Sequence, residues 1–112
     1  MYEDNFSKWE DVQSQYNMDE KEPDEVIVAH YVYEGYEGSS YVVYRNGENF
    51  YYNSGGHCSC YGLEGQWDPT EYSKELFLAW LKRLVEVESR EYANGFESRK
   101  ELIADWIAKL SA

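Results

Sequence analysis

A chain of 112 residues fits one domain and is too short for two ordinary ones, and at this size a core forms without disulfide staples. The formal charge of −12, from 22 acids against 10 bases, excludes a binder of phosphate backbones, which needs clustered Lys and Arg to release counterions. Aromatics make up 18% of the residues, twelve of them tyrosine, and together with an ordinary apolar content they exclude wholesale disorder.

The charge is unevenly placed. Residues 1–40 hold eleven acids against Lys8 and Lys21, a balance of −9, while 41–70 carry −2 and 71–112 carry −1. The opening Met-Tyr-Glu-Asp has no basic n-region and no apolar h-region, so no secretory signal is expected. No apolar run approaches the length of a membrane span. Cys58 and Cys60, one residue apart, would strain a disulfide, and a reducing cytoplasm is the expected setting.

Residues 4–17 read as a short amphipathic helix, with Phe6, Trp9, Val12 or Gln13, and Tyr16 at three- to four-residue spacing. Ser7 and Glu10 have capping-box spacing. Residues 18–25 form a charged, proline-containing connector with no apolar face, expected to be exposed. Residues 25–34 alternate with apolar or aromatic side chains on both faces, which predicts a central strand. A turn at 35–39 leads into strands at 40–45 and 48–53, joined by Asn46-Gly47, the strongest short hairpin signal. A fourth short strand is expected near Gln66-Trp67.

The period then changes. Asp68-Pro69-Thr70-Glu71 has the form of a helix start, with Asp as N-cap and Pro in the first turn. Leu76, Phe77, Trp80, Leu81, Leu84 and Val87 make one stripe, and Asn94-Gly95 suits a left-handed C-cap. Ser98 and Glu101 form a second capping box ahead of a last helix, with Leu102, Ile103, Trp106, Ile107 and Leu110 as its apolar face. The predicted fold is therefore α+β: a three- or four-stranded antiparallel meander packed by two C-terminal helices, plus a short N-terminal helix. It is expected as one domain over residues 1–112: an acidic helix and linker (1–25), a sheet (26–67) and a helical pair (68–112).

Three features bear on function. His57, Cys58 and Cys60 crowd the glycine-rich stretch 54–69, and His30 on the first predicted strand, or a carboxylate such as Glu64 or Asp68, could complete a four-ligand zinc set. The same thiols beside His57 offer a nucleophile and a base, with Ser54, Asn53 or Gln66 as orienting groups. Against both stands the reading of the stretch as a tight joint between sheet and helix. The second feature is the tyrosines: seven in residues 31–52 exceed what one small sheet face buries, so some are expected at the surface, where tyrosine is a favoured interface residue. The third is the acidic series Glu10, Asp11, Asp19, Glu20, Glu22, Asp24 and Glu25, spaced to meet a basic surface and to speed the encounter electrostatically.

The block Gly-Gly-His-Cys-Ser-Cys-Tyr-Gly-Leu-Glu-Gly-Gln-Trp-Asp-Pro at 55–69 resembles a segment of small uncharacterised proteins of tailed bacteriophages. The resemblance covers about residues 40–72 and implies a phage origin without an activity. Residues and resemblance together lead to one expectation: a non-enzymatic protein, phage-encoded, that inhibits a host protein in the host cytosol by occupying its basic, nucleic-acid-binding surface as a DNA mimic does. The acids above would steer and pair, and Tyr33, Tyr36 and Tyr44 would anchor. No direct nucleic acid contact, membrane contact or cofactor is expected. The alternative is a zinc-binding module built on His57, Cys58, Cys60 and His30, and a thiol enzyme comes third.

Overall fold

A computed structural model gives the architecture and describes residues 1–59, 61–86 and 95–112. The fold is α+β: the described residues form a five-stranded open sheet, mostly antiparallel, and three helices, two of them C-terminal. The elements run β1 (Tyr2–Asp4), α1 (Trp9–Tyr16), β2 (Glu25–Glu34), β3 (Glu37–Asn46), β4 (Asn49–Cys58), β5 (Thr70–Tyr72), α2 (Lys74–Glu86), a 3₁₀ turn (Gly95–Ser98) and α3 (Lys100–Ser111). Strand order follows chain order, β1-β2-β3-β4-β5. The chain forms two compact units, Met1–Glu71 and Tyr72–Ala112.

In the first unit β2, β3 and β4 make two successive antiparallel hairpins. Each closes through two residues whose first is a glycine, Gly35 at φ +61° and Gly47 at φ +59°. That is the position where a type II′ turn requires glycine, and this turn matches the twist of its flanking strands. The strands are longer than the sequence predicts. β3 begins at Glu37, and β4 continues through Ser54-Gly55-Gly56-His57-Cys58, most of which reads in sequence as a turn.

β1 has no sequence signal. It pairs parallel with β2, Tyr2 opposite Ala29 and Asp4 opposite Tyr31, so the predicted helix over 4–17 is confined to Trp9–Tyr16. Asp4 turns the chain out of β1 at φ +57°. The expected capping box does not form. Ser7 instead donates from its backbone N–H and its hydroxyl to Asp11 Oδ2 (2.9 and 2.8 Å). Asn17, in the left-handed conformation, closes the helix by donating to the carbonyls of Gln13 and Ser14.

The apolar stripe of α1 lies on one face of the sheet. Phe6, Trp9, Val12 and Tyr16 are buried with Ala29, Tyr31, Val42, Tyr44 and Leu63. The segment after β4 completes this core with Leu63 and the ring of Trp67, which meets Tyr16, Trp9 and Tyr44 at centroid distances of 5.1, 6.0 and 6.0 Å. A Cβ at Gly55 would stand 3.1 Å from Leu63 and 3.2 Å from the Tyr16 hydroxyl, so this glycine is what lets the segment fold back over β4. The opposite face also carries buried side chains, Val28, Tyr41, Val43 and Phe50 among them. β2 is thus an internal strand with two packed faces, as its sequence pattern predicts.

Two sequence expectations about the C-terminal half are corrected. No strand forms at Gln66-Trp67; Gln66 Oε1 accepts the Gly56 N–H (2.9 Å), so a side chain satisfies that part of the β4 edge. Nor does a helix start at Asp68-Pro69. Asp68 donates its N–H to Asn53 Oδ1 (2.8 Å), Thr70–Tyr72 adds to the sheet, and the Tyr51 hydroxyl donates to Glu71 (2.6 Å). α2 starts at Lys74, with Ser73 Oγ accepting the Leu76 N–H (3.3 Å).

In the second unit α2 and α3 lie against each other, with Phe77, Leu81, Phe96 and Ile103 buried. Trp80 stacks on Tyr72 and on Phe96. Leu76, placed in the apolar stripe by its spacing, is exposed. The Ser98–Glu101 capping box is absent: Ser98 donates to the Gly95 carbonyl (2.7 Å) and α3 begins after Arg99. Val87 and Asn94 lie outside the described residues.

Candidate functional site

The two histidines occupy opposite faces of the sheet. His57, the penultimate residue of β4, is buried on the α1 face and lies opposite Gly38 of β3. A Cβ at Gly38 would fall 2.1 Å from His57 Nε2, so the ring rests in space that only glycine leaves open. From there it meets Tyr31 and Tyr33 of β2 at centroid distances of 5.8 and 4.8 Å. Nδ1 lies 2.8 Å from the Cys58 carbonyl oxygen, which can only accept. The proton of neutral His57 therefore sits on Nδ1, and Nε2 accepts from the Tyr31 hydroxyl at 2.6 Å. Burial pushes the Tyr31 phenol above its ordinary range.

His30 is on β2 next to Tyr31, and successive strand residues point to opposite faces. Its ring stacks on Tyr41 (4.6 Å, 16°), and Nδ1 lies 3.2 Å from Glu3 and 3.1 Å from Asp4 of β1. Cys58 is exposed, follows His57 on the other face and pairs with Glu37. Cys60 lies outside the described residues. The structure thus does not bring His30, His57 and Cys58 together, and it parts the Cys58 thiol from the His57 imidazole. Among the described residues no group of three His, Cys, Asp or Glu is arranged to hold a metal ion.

The connector between α1 and β2 is tied to the fold through Glu20, Glu22, Asp24 and Glu25. The Glu20 carbonyl accepts the indole N–H of Trp9 (2.7 Å) and the Gln13 amide (2.9 Å). Its Oε2 accepts the Tyr44 hydroxyl (2.7 Å) and its Oε1 the indole N–H of Trp67 (3.4 Å). Glu22 accepts from Tyr2 (3.3 Å), and Asp24 Oδ2 from the Gly47 N–H at the second hairpin turn (2.8 Å). Glu25 pairs with Arg45 (3.2 Å). Asp11 takes both Ser7 bonds, which hold its carboxyl below the usual carboxylate range. Of the seven acids singled out by sequence, Glu10 and Asp19 remain as exposed carboxylates outside this network.

The tyrosines divide in the same way. Tyr44 is 1% exposed, in the core, stacked on Tyr51 (5.0 Å) with Trp9 at its edge (5.8 Å). It is part of the fold rather than a surface anchor, and burial and then the Glu20 carboxylate push its phenol far up. Tyr33 and Tyr36 are 43% and 78% exposed, at the end of the β2–β3 hairpin. They belong to the run Tyr33-Glu34-Gly35-Tyr36-Glu37-Gly38, whose two glutamates pair directly across the turn. Alternating Tyr and Glu around a glycine turn is the signal that marks this tip in the sequence.

Sheet and site together define a small α+β protein with an acidic, tyrosine-bearing hairpin tip and a buried Tyr–His pair behind it. No protein-family model, curated protein or solved structure matches the chain. Among the described residues no helix is long and apolar enough to cross a membrane.

Proposed function

We propose that the chain is a non-enzymatic interaction protein that occupies a basic, nucleic-acid-binding surface of a host protein in the cytosol, as a phage-encoded inhibitor would. One observation carries this reading. The first unit holds fifteen Asp and Glu against Lys8, Lys21 and Arg45, whereas the second holds seven acids and seven bases. The entire formal charge of −12 therefore resides in Met1–Glu71. A field of one sign on one compact unit steers a basic partner and repels nucleic acid. Exposed Tyr33 and Tyr36 add contact area at low entropic cost.

Immobilised protein exposed to a bacterial lysate tests the reading. Nucleic-acid-binding proteins should be retained at low salt, released at high salt and displaced by duplex DNA. If nothing basic is retained at low salt, or if retained proteins ignore DNA competition, the reading fails.

A further inference from the structure

β1 is three residues long, and none of its side chains is buried. Backbone bonds hold its two ends on β2: the Ala29 N–H donates to the Met1 carbonyl (2.8 Å) and the Asn5 N–H to the Tyr31 carbonyl (2.9 Å). Between them a side-chain cluster joins the two strands. His30 Nδ1 lies 3.2 Å from Glu3 Oε1 and 3.1 Å from Asp4 Oδ2. Glu3 and Asp4 are consecutive, and consecutive strand residues point to opposite faces. Asp4 departs from that rule because its backbone is left-handed, at φ +57°. Few residues other than glycine adopt this conformation, and Asp is among those that tolerate it. The departure brings a second carboxylate to the nitrogen that Glu3 already meets.

An imidazole nitrogen that faces two carboxylates is well matched in one protonation state. The neutral ring has a single N–H. On Nδ1 it is one proton between two anions, and on Nε2 it leaves a lone pair against both. The imidazolium presents an N–H and a positive charge to the two carboxylates together. Stacking on Tyr41 of β3 (4.6 Å, 16°) holds the ring in this place. The charged and titratable groups around it, among the described residues of the first unit, are Glu3 and Asp4 of β1 and the Tyr41 phenol. Beyond Glu3 stands the Met1 ammonium, which donates to the Val26 carbonyl (2.9 Å) and feels Glu3 and Glu25.

We propose that His30, Glu3 and Asp4 form a proton-operated clasp: the charged ring fastens β1 to β2, and loss of its proton loosens the strand and opens the edge of β2. Opening bares the Ala29 N–H and the Tyr31 carbonyl, the kind of backbone groups through which a free sheet edge pairs with another chain. The clasp contributes while the ring is charged, and its contribution falls as rising pH discharges His30.

NMR of the full chain between about pH 5 and pH 8 tests this. Ring-proton shifts follow His30 and His57 separately. Exchange of the Ala29 and Asn5 amides, expressed as protection factors that divide out the intrinsic pH dependence, reads the attachment of β1. Protection should be about threefold higher with His30 charged than neutral, and should change in step with the His30 titration. Amides of the β3–β4 hairpin should show no such step. In E3Q/D4N both charges are gone, while Asn tolerates the left-handed backbone at position 4. That variant should keep the His30 titration and lose the step in protection. A merely structural role would lower protection equally at every pH. Protection in the parent chain that ignores His30, follows His57 or falls as His30 is charged overturns the clasp. So does a step that persists in E3Q/D4N.

Discussion

The Tyr31 hydroxyl donates to His57 Nε2 at 2.6 Å while His57 Nδ1–H donates to the carbonyl of Cys58, so both nitrogens of a buried imidazole have a partner. Tyr31→Phe keeps the ring and removes the donor, leaving a buried acceptor unpaired, which costs about 1–3 kcal/mol. Urea denaturation measures that loss. Nitrogen-15 NMR of the neutral ring should find the proton on Nδ1 and a bare Nε2.

Gly38 and His57 are coupled by space rather than by charge. Gly38→Ala forces its methyl to within 2.1 Å of Nε2 unless the ring leaves its two hydrogen bonds, and overpacking of this kind costs about 1–3 kcal/mol. In a His57→Ala background the space is free and most of that penalty should vanish. A double-mutant cycle on denaturation free energies reads the coupling. Additive costs would mean that the ring moves aside freely.

Alkaline stability follows from the buried phenols. Tyr2 is pushed up to about 12, by burial first and then by Glu22, and Tyr16 and Tyr31 are raised, with burial the largest cause in each. In the unfolded chain these groups sit at the ordinary 10.0 and lose their protons first as pH rises. The folded state then binds more protons than the unfolded one, so stability falls with rising pH. For Tyr2 the contribution is whole below pH 10 and is lost through the window from 10 to about 12. Phenolate absorbance should show one group of tyrosines titrating freely and a second titrating only as the fold is lost.

The acidic connector separates into acids that hold the fold and acids that do not. Glu20→Ala strips the acceptor from the buried Tyr44 hydroxyl and should cost about 1–3 kcal/mol. Fluorescence of Trp67, whose indole N–H bonds the Glu20 carboxylate, should change with it. Glu10→Ala, on the exposed side of α1, should stay within about 0.5 kcal/mol.

Elements whose pattern is set by their own residues were legible in the sequence. β2 occupies the predicted 25–34, and Phe6, Trp9, Val12 and Tyr16 are buried as their spacing implies. What tertiary contact decides was not legible. Tyr-Glu-Asp has no strand pattern and becomes β1 only because the edge of β2 is there to pair with it. Thr70-Glu71-Tyr72 carries the residues of a helix start but is taken into the sheet, with Tyr51 bonded to Glu71. Gly55 and Gly56 read as turn residues, yet Gly55 lies mid-strand because Leu63, Gln66 and Tyr16 occupy the space above it. At the site, sequence found the exposed Tyr33 and Tyr36 but also chose Tyr44, whose neighbours Trp9 and Trp67 come from distant parts of the chain. Composition marks residues 18–25 as exposed, and Asp19, Glu20, Lys21, Glu22 and Asp24 are exposed; the partners that hold the connector, Tyr2, Trp9, Tyr44 and Gly47, come from four other segments and carry no signal within it.

The parallel pairing of β1 has a consequence for the order of assembly. The β2–β3 and β3–β4 hairpins each close a two-residue loop, an event of microseconds that needs no other part of the chain. β1 finds its partner only after the intervening α1 and connector have been reeled in, since Tyr2 pairs with Ala29. Closing that longer loop carries the larger entropic cost. Loop closure therefore favours the meander as the template on which the first strand in sequence docks later, together with the helix that seals the core.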